Sequence, residues 1–406
     1  MTPSRSSGSP LPLQRLSPGN AILLLTVLLA IQPITNDVYL PALPTLTAAL
    51  GSTVAGAQLT LGMMSLCFGL SQLACGPLAD RFGRRPLLVS GLSLYTAASI
   101  ATALAPSMSA LVISRGIQGA AMAAVVICAR AVLRDLYEPE YGARVLARAL
   151  TGLGICAVLC PILGGATVAV AGWRATMCLL GVFSACALGL VLGRYPETAP
   201  RKNPDATRIG PMFRTWWRIL RHPTFLKFTV LSAFTYSGLY AFLAGSSFVI
   251  VGQWGVSRPT YGLFVAATSM AYIAGTLLCR RLVPLRGVRR TIATGGWFSL
   301  AGGTGLALFA LLGWHSPWAF VLPQCLFHFG HGMHQPCAQS GAVGPFPHEA
   351  GAASALTGFI MNLLAFPIGL YLGFALVDSS LPLPLTIWAC SIATAVAAWV
   401  VARRDM

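Results

Sequence analysis

Residues 21–34 read AILLLTVLLAIQPI, an apolar run in which polar and apolar positions do not alternate. A helix needs about 20 mostly apolar residues to cross the hydrocarbon core of a bilayer, and segments of this kind recur along the whole chain. A membrane β-strand would instead alternate apolar and polar residues over about 10 positions, and residues 104–132 also lack that pattern. The sequence therefore predicts an all-α membrane protein.

The composition excludes an ordinary soluble domain. Of the 406 residues, 56% are hydrophobic and only 9% are charged, which leaves too little polar surface for a chain dispersed in water. The apolar segments predict twelve transmembrane helices, at residues 20–43, 54–77, 87–105, 109–133, 145–170, 173–193, 224–247, 260–280, 288–312, 316–341, 350–375 and 383–402.

The positive charge of the chain, +17 in net terms, lies mainly on one side of these spans. The loops on the side of both termini hold almost all of the arginines, whereas the opposite loops hold only Arg174 and Arg258. Because cytoplasmic loops of membrane proteins are enriched in Lys and Arg, this asymmetry predicts cytoplasmic termini and explains the charge without a nucleic-acid partner. Arginine outnumbers lysine 25 to 2, which favours a GC-rich bacterial genome and hence a bacterial inner membrane.

One polar segment divides the chain in two. Residues 194–222 are basic and rich in proline, and we expect them to be a cytoplasmic linker between two six-helix halves at 20–193 and 223–406. Residues 1–19 predict a cytoplasmic tail. Residues 82–85 (FGRR) align with residues 286–289 (RGVR) at an offset of 204, which favours a duplicated half. Two parallel halves around a central cavity form a transporter architecture with binding near the bilayer midplane.

Three motifs resemble a known family. Residues 76–86, GPLADRFGRRP, resemble the signature loop of the major facilitator superfamily and lie between the second and third spans. Residues 36–44, NDVYLPALP, resemble the first-helix motif of the Bcr/CflA-type (bicyclomycin/chloramphenicol resistance) drug:proton antiporters, and residues 115–119 with 130–137 fit the fourth-helix motif of that group. The motif positions are Gly76, Asp80, Arg81, Gly83, Arg84 and Arg85 in the loop, and Gln118, Gly119, Arg130 and Asp135 in the fourth span.

The resemblance implies the twelve-helix major facilitator fold and drug:proton antiport. It also implies that Asp80 faces the amino end of the eleventh span, near residues 350–353, and locks the cytoplasmic gate. Gly76 and Gly83 permit a tight turn, and the carboxylate of Asp80 offers a negative charge near helix ends that favour one. A solvated loop placed only by the positive-inside rule would explain the arginines, but neither Asp80 nor the glycines.

The fifth span resembles the antiporter motif of the same family. Its positions here are Gly154, Pro161, Gly164 and Gly165, and Cys160 stands where the family usually has glycine. Small residues let membrane helices approach closely, so we expect looser helix contact at Cys160. Importers of the superfamily generally lack this motif, and the resemblance therefore favours export. A packing seam without a special role is the second interpretation.

Asp37 is the main candidate for proton coupling. Of ten acidic residues, it alone lies well inside a predicted span. An intramembrane carboxylate is costly and by default indicates a functional site, and removal from water favours its protonated form. A solvated carboxylate at the outer interface is the alternative.

Arg115 and Arg130 are the two arginines well inside predicted spans. They are fifteen positions apart, about 22 Å of helix rise, and therefore cannot share one contact. Arg115 lies at a depth comparable to that of Asp37 and is the expected partner of that carboxylate. Arg130 is nearer the cytoplasmic end, where a long side chain can reach the interface, so a structural role is equally open.

Aromatic and histidine side chains are candidates for the substrate cavity. Tyr39, Tyr236, Tyr240, Phe327, His331 and Phe359 suit an apolar ligand, although most aromatic residues in a bundle only pack or mark the interface. His328, His331 and His334 form a stripe on the tenth span. Since no acidic residue lies in that span, we expect hydrogen bonding and cavity lining there rather than a metal site.

These features predict a proton-coupled exporter of small amphiphilic compounds, expected to act as a monomer in the lipid bilayer without a cofactor. The proton gradient is the expected energy source, because the chain has no GxxxxGK[ST] nucleotide loop. A uniporter or importer of a small nutrient would share the fold and is the alternative. A channel would need rings of charges or carbonyls, and an enzyme would need a paired acid and base or a metal cluster.

The orientation is testable at Asn203, in the basic linker. We expect N203C, in a variant without reactive native cysteines, to resist an impermeant thiol reagent in intact cells and to react after the cells are broken open. Labelling of intact cells from outside would reverse the predicted topology.

Overall fold

The computed structural model describes residues 18–137, 139–199, 202–314, 316–377 and 379–403, and every regular element among them is helical. Residues 1–17, which form most of the predicted tail, lie outside the described part. The α-helices are α1 (Pro18–Asp37), α2 (Leu43–Ala49), α3 (Val54–Phe82), α4 (Arg84–Ala103), α5 (Met108–Leu136), α6 (Pro139–Arg194), α7 (Ile209–Leu220), α8 (Pro223–Ser247), α9 (Arg258–Leu311), α10 (Pro317–Val343), α11 (Ala350–Ala375) and α12 (Pro382–Ala402).

The helices correspond closely to the predicted spans. Within the described residues, nine helical stretches are long and apolar enough to cross a membrane. Two of them, in α6 and α9, bend at Gly172 and Gly287 and so supply two arms each. Helix α10 is a continuous helix of 27 residues, but its three histidines and three glutamines lower its mean hydropathy, and it is not among the nine. The arms and α10 together are consistent with twelve crossings.

Two glycine pairs repeat at the same offset of 204 residues. Gly83 and Gly287 have φ angles of 107° and 75° and share a ψ of 164°. Gly51 and Gly255 likewise have positive φ angles, 57° and 68°. L side chains rarely adopt this conformation, whereas glycine adopts it freely. The second pair strengthens the predicted duplication, which the sequence indicated only through residues 82–85 and 286–289.

The first span ends differently from the prediction. A continuous helix was expected over 20–43, but α1 ends at Asp37, and a 3-10 turn at Leu40–Ala42 leads into α2. Pro41 and Pro44 cause this break, because proline lacks the amide hydrogen that the helix ladder requires. The turn is held by Tyr39 N and Ala42 N, which donate to the carbonyls of Asn36 and Tyr39 at 3.2 and 3.0 Å.

The predicted linker contains an additional helix, α7. Its residue Ile219 is fully buried, in a cluster with Phe225, Ala353 and Leu356. The linker is therefore packed against α8 and the start of α11. The recurrence of Ile209, Phe213 and Trp217 at every fourth position was the sequence signal for this helix.

The two halves meet along two helix pairs. Helix α3 packs on α11, where Gly69 leaves only enough room for the Asn362 side chain. Helix α6 packs on α9, where a Cβ on Gly262 would lie 2.5 Å from the Pro161 carbonyl oxygen. Close helix approach at small residues is how membrane bundles gain packing energy. The interface between the halves is thus built on glycine.

The importance of such contacts is testable at Gly119. A Cβ at this position would overlap the Met64 carbonyl of α3, whereas a Cβ on Gly189 would meet nothing within 4 Å. Gly119→Ala must force α3 and α5 apart, and overpacking of this kind costs about 1–3 kcal/mol. We expect a lower thermal unfolding temperature for Gly119→Ala and no loss for Gly189→Ala, measured on purified protein. Equal stability of the two variants would contradict this packing.

Candidate functional site

Asp37 lies at the end of α1, where helices of both halves meet. It is half-buried and is followed by the buried residues Val38 and Tyr39. Gly164 of α6 packs directly on the backbone of Val38, so no larger residue fits there. Tyr261 of α9 and Cys160 of α6 are within electrostatic range of the Asp37 carboxyl. A change in the charge of Asp37 would therefore change the electrostatic interactions where α1, α6 and α9 meet.

Arg115 is fully buried in the first half. Its Nη1 donates to Gln118 Oε1 at 2.5 Å, and Gln118 Nε2 donates to Ser99 Oγ at 2.7 Å. The guanidinium carbon lies 4.2 Å from the centroid of the Tyr39 ring, which is a cation–π geometry. The Tyr39 hydroxyl is hydrogen-bonded to Thr60 Oγ1 at 2.6 Å. Polar and aromatic groups, rather than a carboxylate, surround this cation.

The expected ion pair between Asp37 and Arg115 is not formed in this structure. The ion pairs of the described residues join Arg84 to Asp80 and Asp135, Arg208 to Asp205, and Arg218 to Glu349. Because α1 ends at Asp37, this side chain turns towards α6 and α9, while Tyr39 lies over the guanidinium of Arg115. Although Asp37 and Arg115 were predicted at similar depths, their side chains do not pair with each other. Their roles in proton coupling stay predictions.

The signature loop forms a charge network centred on Arg84. Arg84 is nearly buried and pairs with Asp80 at 2.7 Å and with Asp135 of α5 at 2.9 Å. Asp80 was expected to face the amino end of α11, but its carboxylate pairs with Arg84, one helical turn away, and among the described residues it makes no hydrogen bond to residues 350–353. Its backbone carbonyl accepts from Asn203 N at 2.9 Å, which ties the loop to the linker.

The two loop glycines have different environments. Gly83 has a φ of 107° and makes the turn between α3 and α4. Gly76, which was expected to share this turn, lies inside α3 with nothing within 4 Å of an added Cβ. Helix α3 continues through Gly76 and Pro77 and ends at Phe82. The turn thus depends on Gly83 alone.

Sequence reasoning missed Glu197, which lies just after α6. Its carboxylate accepts from the backbone N–H of Arg84 at 2.9 Å and of Arg85 at 3.2 Å. A negative charge at these first amides of α4 compensates the positive end of the helix. Arg81 and Arg85 add bonds to Thr207 Oγ1 at 2.5 Å and to the Tyr195 carbonyl at 2.8 Å. Its proline-rich segment also contains the acid Asp205, so the sequence alone did not single out Glu197.

The antiporter-motif residues lie at the interface of the halves. A Cβ on Gly165 would be 2.5 Å from the Arg258 carbonyl oxygen, and a Cβ on Gly154 would be 3.3 Å from Ile273 Cδ1. Both neighbours belong to α9. Arg258 Nε also donates to Thr45 Oγ1 of α2 at 3.0 Å. The motif residues therefore pack the first half against the second.

Arg130 lies between the halves, and so does Tyr240 of α8, whose hydroxyl oxygen would be 3.8 Å from a Cβ on Gly62 of α3. Arg130 Nη1 donates to Ser354 Oγ of α11 at 3.3 Å. The rings of Tyr236 and Tyr240 are 6.3 Å apart, and the Tyr236 hydroxyl donates to Asn362 Oδ1 at 3.5 Å. Phe359 belongs to the stretch of α11 that faces Gly69 of α3. The predicted cavity positions Tyr39, Tyr236, Tyr240 and Phe359 thus remain candidates for ligand contact.

Phe327 and the histidines of the stripe make their packing and hydrogen-bond contacts within the second half. Phe327 is fully buried and fills the space left by Gly238 of α8. His331 is hydrogen-bonded to Thr235 at 3.0 Å, and His334 to the Ile292 carbonyl at 3.1 Å. His328 contacts Gln324 one turn earlier. These contacts fit the expected hydrogen-bonding role, and among the described residues no cluster could hold a metal ion.

Comparisons with known proteins identify the family. A model of the Major Facilitator Superfamily matches residues 25–367. The chain is 29% identical to multidrug resistance protein D of Escherichia coli (strain K12), over 85% of this chain and 86% of that protein. It is 27% identical to the chloramphenicol resistance protein of Pseudomonas aeruginosa, over 94% and 90% of the two chains.

A solved structure supports the fold. The human organic anion transporter MFSD10 (TETRAN) superposes with a TM-score of 0.69 at 17% identity, covering 95% of this chain and 100% of that one. The predicted helical fold class and the resemblance to the Bcr/CflA-type transporters are confirmed. The match to the family model reaches from α1 into α11 and so includes both halves. The chain therefore belongs to the major facilitator superfamily, a family of multi-pass membrane transporters rather than enzymes.

Proposed function

We propose that this transporter exports small amphiphilic organic compounds in exchange for protons across a bacterial inner membrane, with both termini in the cytoplasm. The observation that carries the proposal is the position of Asp37, the acid at the end of α1 beside the antiporter-motif glycine Gly164. The names of the relatives, which refer to multidrug and chloramphenicol resistance, support organic compounds as substrates. Protons and a small-molecule substrate are the proposed partners in the exchange within the lipid bilayer, and the proton gradient is proposed to supply the energy.

The proposed cycle uses Asp37 as the proton carrier. In the protonated state, the neutral carboxyl fits the largely apolar surroundings of α1, α6 and α9, because a buried charge without a partner is costly. Release of the proton on substrate binding creates a charge at the contact of the two halves and changes the relative stability of the conformations. A ligand or proton shifts such an equilibrium only through different affinities for the two states. Arg115 is proposed to assist proton coupling through its positive charge, and Tyr39 is proposed as a position of substrate contact.

The signature loop is proposed to act on the inner gate. In this conformation Asp80 is paired with Arg84, and the gate contact with α11 would require Asp80 to exchange partners. The halves 20–193 and 223–406 are proposed to move against each other, with 194–222 as the connection. A uniporter or nutrient importer with this fold remains the alternative, since it would share these contacts but would not need a titratable Asp37.

The central prediction concerns Asp37→Asn. Asparagine keeps the size of the side chain but cannot release a proton, so uphill export should be lost. We expect chloramphenicol binding to release protons from the purified parent and not from the variant.

Asp205→Asn is the matched control for Asp37→Asn. Asp205 is exposed and pairs only with the neighbouring Arg208, so this variant should behave like the parent. Expression and thermal stability are measured for all three proteins, because the loss of a buried acid can destabilise by itself. Proton release by Asp37→Asn equal to that of the parent would refute the assignment of this residue.

A further prediction concerns Asp80→Asn. The side chain is 49% exposed, and its nearly buried partner Arg84 keeps a second ion pair, with Asp135, when Asp80 is neutralised. The variant should therefore remain folded in the membrane, while export slows several-fold because the charge that changes partners at the gate is missing. Initial export rates, normalised to protein in the membrane, test this expectation. Parental rates would show that the loop only determines topology.

A further inference from the structure

Helix α7 has a broad apolar face, and the described residues of the protein cover one edge of it. Ile219 is fully buried against the cluster that includes Ala353 and Leu356 of α11. Ile209, Phe213 and Trp217 are 67%, 59% and 58% exposed. Because they recur at every fourth position, these three side chains lie along one side of the helix. A second apolar edge of α7 is therefore open to the surroundings of the protein.

The side of α7 next to this open edge is basic. Arg214, Arg218 and Arg221 follow each other at spacings of four and three residues, which places them on one face. Arg218 is paired with Glu349, whereas Arg214 and Arg221 have no carboxylate partner among the described side chains. The guanidinium carbon of Arg221 lies 4.5 Å from the centroid of the Trp217 ring. Two cations thus remain available beside an exposed apolar stripe.

This combination is the chemistry of a membrane surface. Helices that lie in the plane of a bilayer have Trp, Phe and Leu on one face and Lys or Arg on the other, and they bind anionic lipids more strongly. Trp side chains are also enriched at the membrane–water boundary. An acidic soluble partner would satisfy the arginines but would not by its charge account for the stripe of Ile209, Phe213 and Trp217.

We propose that α7 is a binding site for anionic phospholipids of the leaflet that it faces. Ile209, Phe213 and Trp217 enter the boundary of the acyl chains, and Arg214 and Arg221 pair with the phosphate-bearing headgroups. A net negative headgroup is favoured over a zwitterionic one, because the ammonium group of the latter opposes the arginines. The charge complementarity between the basic face and anionic lipid selects this occupant.

The site is connected to the helix pair between the halves. Arg218 is joined to Glu349, the residue just before α11. One turn into α11, Ser354 accepts from Arg130 of the first half. Lipid that holds α7 in place therefore also holds the end of α11 where the halves touch. Rapid export is thus expected to require anionic lipid, a consequence that rests on the proposed transport function.

Lipid binding is tested directly by native mass spectrometry of the full-length protein with phosphatidylglycerol or phosphatidylethanolamine. The double variant Arg214→Gln/Arg221→Gln removes two charges from α7. The control, Arg281→Gln/Arg290→Gln, removes two charges from exposed positions near the bend of α9. We expect the α7 variant to retain several-fold less phosphatidylglycerol than the parent, and the control to retain the parental amount. Equal retention by both variants, or no preference of the parent for phosphatidylglycerol, would overturn the site.

Export of chloramphenicol from proteoliposomes tests the connection to α11. The parent and the control should export several-fold faster when phosphatidylglycerol is present, and the α7 variant should lose this response. A parent that binds phosphatidylglycerol but exports equally fast without it would overturn the connection. Absence of export by every protein in every lipid would instead contradict the proposed function, and the mass spectrometry would still decide the lipid site.

Discussion

The hydrocarbon interior of a bilayer offers no hydrogen bonds, and this constraint determines where the polar groups of the protein lie. Every described element is helical, so the backbone satisfies itself. A charge at the centre of a membrane helix costs about 2.5–3.5 kcal/mol on insertion scales, so a charged group inside a span is favoured beside polar or aromatic neighbours or near a helix end. Arg115 is held by Gln118 and the Tyr39 ring, while Asp37 lies at the end of its helix.

The same constraint explains why the contacts between the halves are rich in glycine. Within lipid, apolar side chains gain little from meeting each other rather than lipid tails, and close packing becomes the main source of attraction. Gly165 and Gly262 bring α6 and α9 into backbone contact. Interfaces of this type tolerate no added methyl group but can separate as rigid surfaces. Such surfaces suit two halves that alternate between packed and open arrangements.

Much of the fold was predictable because the membrane imposes a strong and simple pattern. The lengths of the apolar segments predicted the helices to within a few residues, and the asymmetry of the arginines suggested the orientation. The break after Asp37 was missed, although Pro41 and Pro44 carried its signal. Helix α7 was missed because the proline and basic content of the linker hid a short amphipathic pattern.

The site was less predictable, because partners across helices depend on rotation as well as on depth. Asp37 and Arg115 lie at similar depths, yet one turns towards α6 and α9 and the other towards Tyr39. Asp80 was assigned to α11 from the family resemblance, whereas in this conformation Arg84 takes its carboxylate. Glu197 acts through backbone amides, and a pattern of side chains could not reveal that contact.

Movement of the substrate is proposed to be coupled to movement of protons in the opposite direction. The most direct measurement is accumulation of chloramphenicol in proteoliposomes with an acidic lumen, since this compound carries no charge that would trap it there. Antiport predicts accumulation above the external concentration, which a protonophore abolishes and protein-free vesicles do not show. Exchange that equilibrates chloramphenicol equally with and without the pH gradient would contradict antiport and identify a uniporter.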